Sequence, residues 1–176
     1  MKKKDVLIRR VVRILLWTSF AVYLLVLVKL LFLDGRHPFD ISFGEFVRHS
    51  NWIPFRTVVG YLQRLSANSI NLDIVVRNLL GNLILFFPMG CYLPCLGRWL
   101  APLWKRLLLL VGMILGVEVL QLILRVGFFD VDDVIFNFFG GAVASLLFMI
   151  PWLCRGLQRV YLLSGEGEKE GNLLFC

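Results

Sequence analysis

The sequence predicts an all-α, polytopic membrane protein, with four transmembrane helices and an extracytoplasmic interfacial helix between the first and second. Composition is the first reason. Of 176 residues 59% are hydrophobic and only 18% charged, with a mean hydropathy of +0.78, a balance that a soluble domain of this size does not sustain. Apolar runs near the roughly 20 residues needed to cross a hydrocarbon core recur along the chain. Basic residues gather at the ends of those runs rather than along a nucleic-acid-binding face.

Residues 1–13 carry Lys2, Lys3, Lys4, Arg9, Arg10 and Arg13 ahead of an apolar stretch, the layout of a cytoplasmic flank meeting anionic head groups. The net charge of +7 therefore speaks for membrane positioning, and no nucleic-acid partner is expected. The first span, 14–33, is broken only by Thr18, Ser19 and Lys29. It is too long for the core of a secretion signal and lacks a small-x-small cleavage site, so it reads as a retained helix.

In the long segment after it, Phe55, Val58, Val59, Leu62 and Leu65 recur at helical spacing, with Arg56, Gln63 and Arg64 elsewhere on the wheel. That pattern suits a short helix lying in the interface, with Trp52 at head-group depth. The second span, 79–96, is interrupted by Pro88 and Gly90, which predicts a kink. The third covers 103–124 and the fourth 134–153, closing a membrane domain over 14–153. The tail, 154–176, is expected in the cytoplasm.

Orientation follows from Lys and Arg. Arg98, Lys105 and Arg106 lie between spans two and three, and Arg155, Arg159 and Lys169 follow span four. The loop between spans three and four sets Arg125 against Asp130, Asp132 and Asp133. Both termini are thus expected inside. Cys91, Cys95, Cys154 and Cys176 make no disulfide framework and read as reduced thiols. No cofactor or metal is expected.

The polar residues within this apolar sequence are the main functional signal, because ionisable groups at membrane depth are costly. Span two brings Asn78 and, one turn deeper, Asn82. Span three carries Glu118, Gln121 and Arg125 along one stripe. Asp130, Asp132, Asp133 and Asn137 open span four. Glu118 should lie on the order of 10 Å below the surface at 1.5 Å per residue. Single Asn or Gln residues often serve as interhelical glue; so many at one depth point to a ligand-binding site. Glu118 and Asp133 are the candidates for general acid and base should the site be catalytic. The three aspartates have oxygen chemistry suited to Mg²⁺ or Ca²⁺, although aspartates at a helix start are more often caps. Gly112 and Gly116, and likewise Gly140 and Gly141, form small-residue faces for packing within the chain or for a homo-oligomer.

Several of these residues resemble motifs of the VanZ-like family of bacterial membrane proteins. They are Asn78-x-x-Gly81-Asn82-x-x-x-Phe86-x-Pro88-x-Gly90, then Glu118-x-x-Gln121 with Gly127-x-x-Asp130-x-Asp132-Asp133-x-x-x-Asn137-x-x-Gly140, and, more weakly, Asn51-x-x-Pro54-Phe55. Many members carry an Arg six residues after the Gln. Gly127 stands there in this chain, and the basic residue is Arg125. The resemblance implies a multi-pass protein of the bacterial cytoplasmic membrane, acting at the cell envelope in resistance to teicoplanin-type lipoglycopeptides. Three classes of function fit: binding or handling of a membrane lipid or lipid-like amphiphile at the outer leaflet, an intramembrane enzyme acting on a lipid-linked precursor, and, more weakly, a transporter.

Overall fold

The computed structural model describes residues 3–33 and 39–150. Seven α-helices, and no strand, occur among them. Helix α1 (Lys3–Val28) runs into a π-helical turn (Lys29–Leu33), and α2 (Phe43–His49) and α3 (Arg56–Ser66) follow at one end of the bundle. Next come α4 (Leu72–Leu85), α5 (Phe87–Tyr92), α6 (Leu103–Leu124) and α7 (Val131–Leu147). Among the described residues three stretches are long and apolar enough to cross a membrane: Arg10–Leu33, Leu72–Cys95 and Leu103–Leu124.

The third span matches its expected bounds. The second begins earlier than residue 79, because a helix is held by backbone hydrogen bonds and does not stop where hydropathy falls. Its first turns carry Asp73 and Arg77, paired at 3.0 Å with both side chains exposed, an i, i+4 arrangement that sustains a helix. The expected break occurs at Phe86, between α4 and α5, with Pro88 in the first turn of α5. The Tyr23 hydroxyl donates to the Leu85 carbonyl at 2.9 Å beside this break.

The fourth expected span differs most. Helix α7 starts at Val131 and has 17 residues, about 25 Å at 1.5 Å per residue, short of a hydrocarbon core of about 30 Å. Positions 151–153 of that span, and the tail, lie outside the described residues. Helix α7 packs against α4, α5 and α6, and its small residues allow this. A Cβ on Gly140 would stand 1.7 Å from the Leu83 carbonyl oxygen, and one on Gly90 would stand 2.0 Å from that of Gly141. The Gly140/Gly141 face is therefore buried inside the chain. Gly112 and Gly116 are the converse: both are exposed and no atom lies within 4 Å of an added Cβ. Among the described residues nothing packs on their face.

The apolar core gathers Leu27 and Leu31 of the first span with Phe86, Met89, Leu93, Leu100, Leu110 and Ile114. Outward, Leu108, Val119, Ile123, Phe139 and Val143 are exposed, an apolar coat that lipid tolerates and water does not. Near the other end of α6, Arg106 is 2% exposed. It donates to the carbonyls of Ser145 and Ala101, each at 3.3 Å, and so ties the last turns of α7 to the start of α6.

Candidate functional site

The α3 end of the bundle is assembled by two aspartates. Phe55, the residue capping α3, has φ 64 and makes no side-chain cap, so the first amides of α3 need an outside acceptor. Asp132 of α7 is that acceptor. Its carboxylate takes hydrogen bonds from the N–H groups of Phe55, of Thr57 at 2.8 Å and of Val58 at 3.3 Å, and the residue is 1% exposed. A carboxylate here also meets the positive end of the helix dipole.

Asp130 caps α7 by accepting from the Asp132 N–H at 2.9 Å. It further accepts from the Thr57 hydroxyl at 2.6 Å and the Asn51 amide at 2.8 Å. Backbone bonds from Asn51 to Phe129 and from Val131 to Asn51, at 2.8 and 3.0 Å, complete a single parallel bridge between the two segments. Trp52 stacks on Phe129 with ring centroids 4.3 Å apart. Asp130 and Asp132 thus act as positioning residues that hold the roof of the site, and their oxygens are already committed to protein donors. Among the described residues no group of three or more His, Cys, Asp or Glu is arranged to hold a metal ion.

Beneath this roof lies a cavity of about 60 Å³, room for a few waters. Asn82 of α4, Glu118 and Gln121 of α6, and Asp133 and Asn137 of α7 line it, with Leu31 of the first span. Five of the expected site residues, from three helices, therefore converge. Asn82 donates to the Asp133 carboxylate. Asn137 donates to the Asp133 backbone carbonyl at 2.8 Å, and its own buried Oδ1 has no partner among the described residues. An unmet buried acceptor costs about 1–3 kcal/mol, so this atom calls for a donor inside the cavity. Glu118, 4% exposed, accepts from the Asp130 N–H at 3.4 Å and so links cavity to roof. Gln121 donates to the Leu31 carbonyl at 2.8 Å within the π-helical turn, a helix irregularity often found at functional sites.

Two expected residues stay apart. Asn78 is exposed and does not line the cavity. Arg125 ends α6 in the left-handed region at φ 56. Its guanidinium donates to the Ile41 carbonyl at 3.2 Å, while its own carbonyl accepts from the Phe39 N–H at 3.1 Å. It fastens the segment before α2, whereas Gly127 lines the cavity.

Asn51 was legible only as part of a weak motif, and Thr57 and Tyr61 carried no signal of their own. Burial first, then the Asp133 and Asp130 carboxylates, push the Tyr61 phenol above its ordinary range, against a smaller opposing effect of Arg64. Tyr61 is thus a protonated hydroxyl at neutral pH.

The three sequence motifs are therefore one structure: Asn51–Thr57 rests on Asp130 and Asp132, Asn82 meets Asp133, and Glu118 reaches the Asp130 backbone. Comparison with curated proteins and with solved structures finds no match. A family model described as VanZ/LLP1 matches residues 20–154. That stretch contains every one of these contacts and the apolar spans that carry them, and the chain is a membrane protein that belongs to the VanZ/LLP1 family.

Proposed function

We propose that this protein sits in the bacterial cytoplasmic membrane with both termini inside. There it handles an amphiphilic ligand at the outer leaflet and contributes to resistance against teicoplanin-type lipoglycopeptides. The observation that carries this reading is the buried cavity shared by Asn82, Glu118, Gln121, Asp133 and Asn137, with one acceptor unmet. Packing alone needs one or two polar contacts between membrane helices; five around a void are more than packing explains. The distribution of Lys and Arg favours an external α3 end. In this reading α3 lies in the outer interface and α7 belongs to a fourth crossing. The link to lipoglycopeptides rests on family membership.

The cavity is too small for a whole head group, so the ligand engages at the roof and the cavity responds beneath it. Opening the roof would strip partners from Asp130 and Asp132 and expose Glu118 and Asp133. The test is drug susceptibility in cells producing the wild-type chain, Glu118→Gln or Asp133→Asn at equal membrane levels. Both variants are expected to fall to the susceptibility of cells lacking the protein. Full resistance in both would overturn the proposal.

A second reading is favoured by the presence of two acids around one void. Glu118 and Asp133 would then serve as acid and base in hydrolysis or transfer on a lipid-linked precursor. A membrane lipid modified in producing cells and lost in both variants, detected by mass spectrometry, would select this reading.

A further inference from the structure

The α3 end carries a second feature that the cavity does not use. An open groove of about 920 Å³ runs between α2 and α3. Arg48 of α2 and Arg56 and Arg64 of α3 line it, and no Asp or Glu does. Asp130 and Asp132, which meet the groove's Asn51, Phe55 and Thr57, are bonded to the roof, and Glu45 of α2 is engaged with Ser42 in a capping box. Among the described residues Arg77 pairs with Asp73, and no ion pair involves these three guanidiniums. An array of one sign with no counter-charge attracts anions, and guanidinium forks match phosphate oxygens in pairs.

Gly60 lines the groove between two of these arginines. Arg56, Gly60 and Arg64 follow at i, i+4 and i+8, one stripe of α3. Glycine weakens a helix interior by roughly 0.5–1 kcal/mol relative to alanine. Nothing in the fold requires it here, since no atom lies within 4 Å of an added Cβ. A gap between two arginines is what a ligand needs for close approach. Ile53, Phe55 and Val59 line the same groove and are 58%, 56% and 49% exposed. Anion-binding groups beside exposed apolar side chains match a molecule with a charged head and a hydrocarbon tail.

We propose that the α2–α3 groove binds the phosphate of a membrane lipid, held by Arg48, Arg56 and Arg64 over the gap at Gly60. This deepens the amphiphile reading above and rests on it only in placing α3 at the membrane interface. The test uses the purified full-length chain in neutral detergent, titrated with dioctanoyl phosphatidic acid, dioctanoylglycerol or sodium phosphate and read by native mass spectrometry.

Phosphatidic acid should bind, with dioctanoylglycerol and inorganic phosphate each at least tenfold weaker. Arg56→Gln with Arg64→Gln should weaken phosphatidic acid tenfold or more, and Arg77→Gln should not. Gly60→Leu fills the gap on a residue with open space around it, so it should lose binding tenfold while its melting temperature stays at or above wild type. Equal binding by Gly60→Leu and wild type would overturn the proposal, as would dioctanoylglycerol or inorganic phosphate binding as tightly as phosphatidic acid. No drug or cell enters this assay. A wild-type chain that does not bind phosphatidic acid, with the resistance phenotypes as expected, thus defeats the groove alone, and the reverse defeats the resistance role alone.

Discussion

Replacing Asp132 by Asn removes one carboxylate oxygen and the charge while keeping the shape. Asp132 serves three amides, those of Phe55, Thr57 and Val58, and an Asn side chain turns an NH₂ group toward at least one of them. Hydrogen bonds to charged groups contribute about 1.5–3 kcal/mol each, and a carboxylate at a helix N-terminus adds about 0.3–1 kcal/mol. Losing one bond and the charge interaction costs about 3 kcal/mol. That cost falls on the attachment of α3 to α7 rather than on the apolar core, which Asp132 does not touch. Since 1.4 kcal/mol is a factor of ten, opening of residues 51–66 should become about 100-fold more frequent. Hydrogen exchange read by mass spectrometry measures this directly: protection should fall in residues 51–66 and persist in α6 and the core-facing part of α7. Unchanged protection in 51–66, or a uniform loss across all helices, would refute the assignment of Asp132 as the roof's anchor.

Other perturbations probe separate parts of the structure. Gly140→Ala drives a methyl into the Leu83 carbonyl and should lower the melting temperature steeply, whereas Gly112→Ala, with open space, should hold or raise it by the equivalent of about 0.5–1 kcal/mol; equal effects would contradict the packing described. Arg106→Ala strands the carbonyls of Ser145 and Ala101 at about 1–3 kcal/mol each, and a detergent melting curve unchanged from wild type would contradict that pin. The Tyr61 phenol is raised above its ordinary 10.0. Its contribution to stability is therefore complete below pH 10 and disappears as pH rises through the elevated value. Asp133→Asn removes one of the charges responsible, so the alkaline loss should still begin near pH 10 but be smaller and end at lower pH in that variant, which melting curves between pH 8 and 12 would register.

What could be read from the sequence depended on whether a signal was local. Hydropathy located α6 to the residue, and helical spacing placed Asn82, Glu118, Gln121, Asp133 and Asn137 on faces that do converge. It failed where a helix continues through polar residues, as at Leu72–Asn78. Helix α2 was missed although Ser42 and Glu45 form a capping box, a pattern visible in the sequence. Capping by Asp130 was legible as a helix-start aspartate, but the anchoring of residues 51–58 by Asp130 and Asp132 was not, because those partners lie more than seventy positions earlier. The two glycine pairs look alike as small-residue motifs. Only packing separates Gly140 and Gly141, pressed against Leu83 and Leu110, from Gly112 and Gly116, which face outward.

The account depends most on α4 and α7 meeting at the cavity, and cysteine crosslinking in native membranes addresses that contact directly. With Cys91, Cys95, Cys154 and Cys176 replaced by serine, cysteines are placed at Asn82 and Asp133, whose side chains are hydrogen-bonded here. A short bifunctional thiol reagent should join them efficiently, and should not join a cysteine at exposed Asn78 to position 133. Efficient linkage from Asn78 with none from Asn82 would mean that α4 presents a different face to α7, and the shared cavity would not exist.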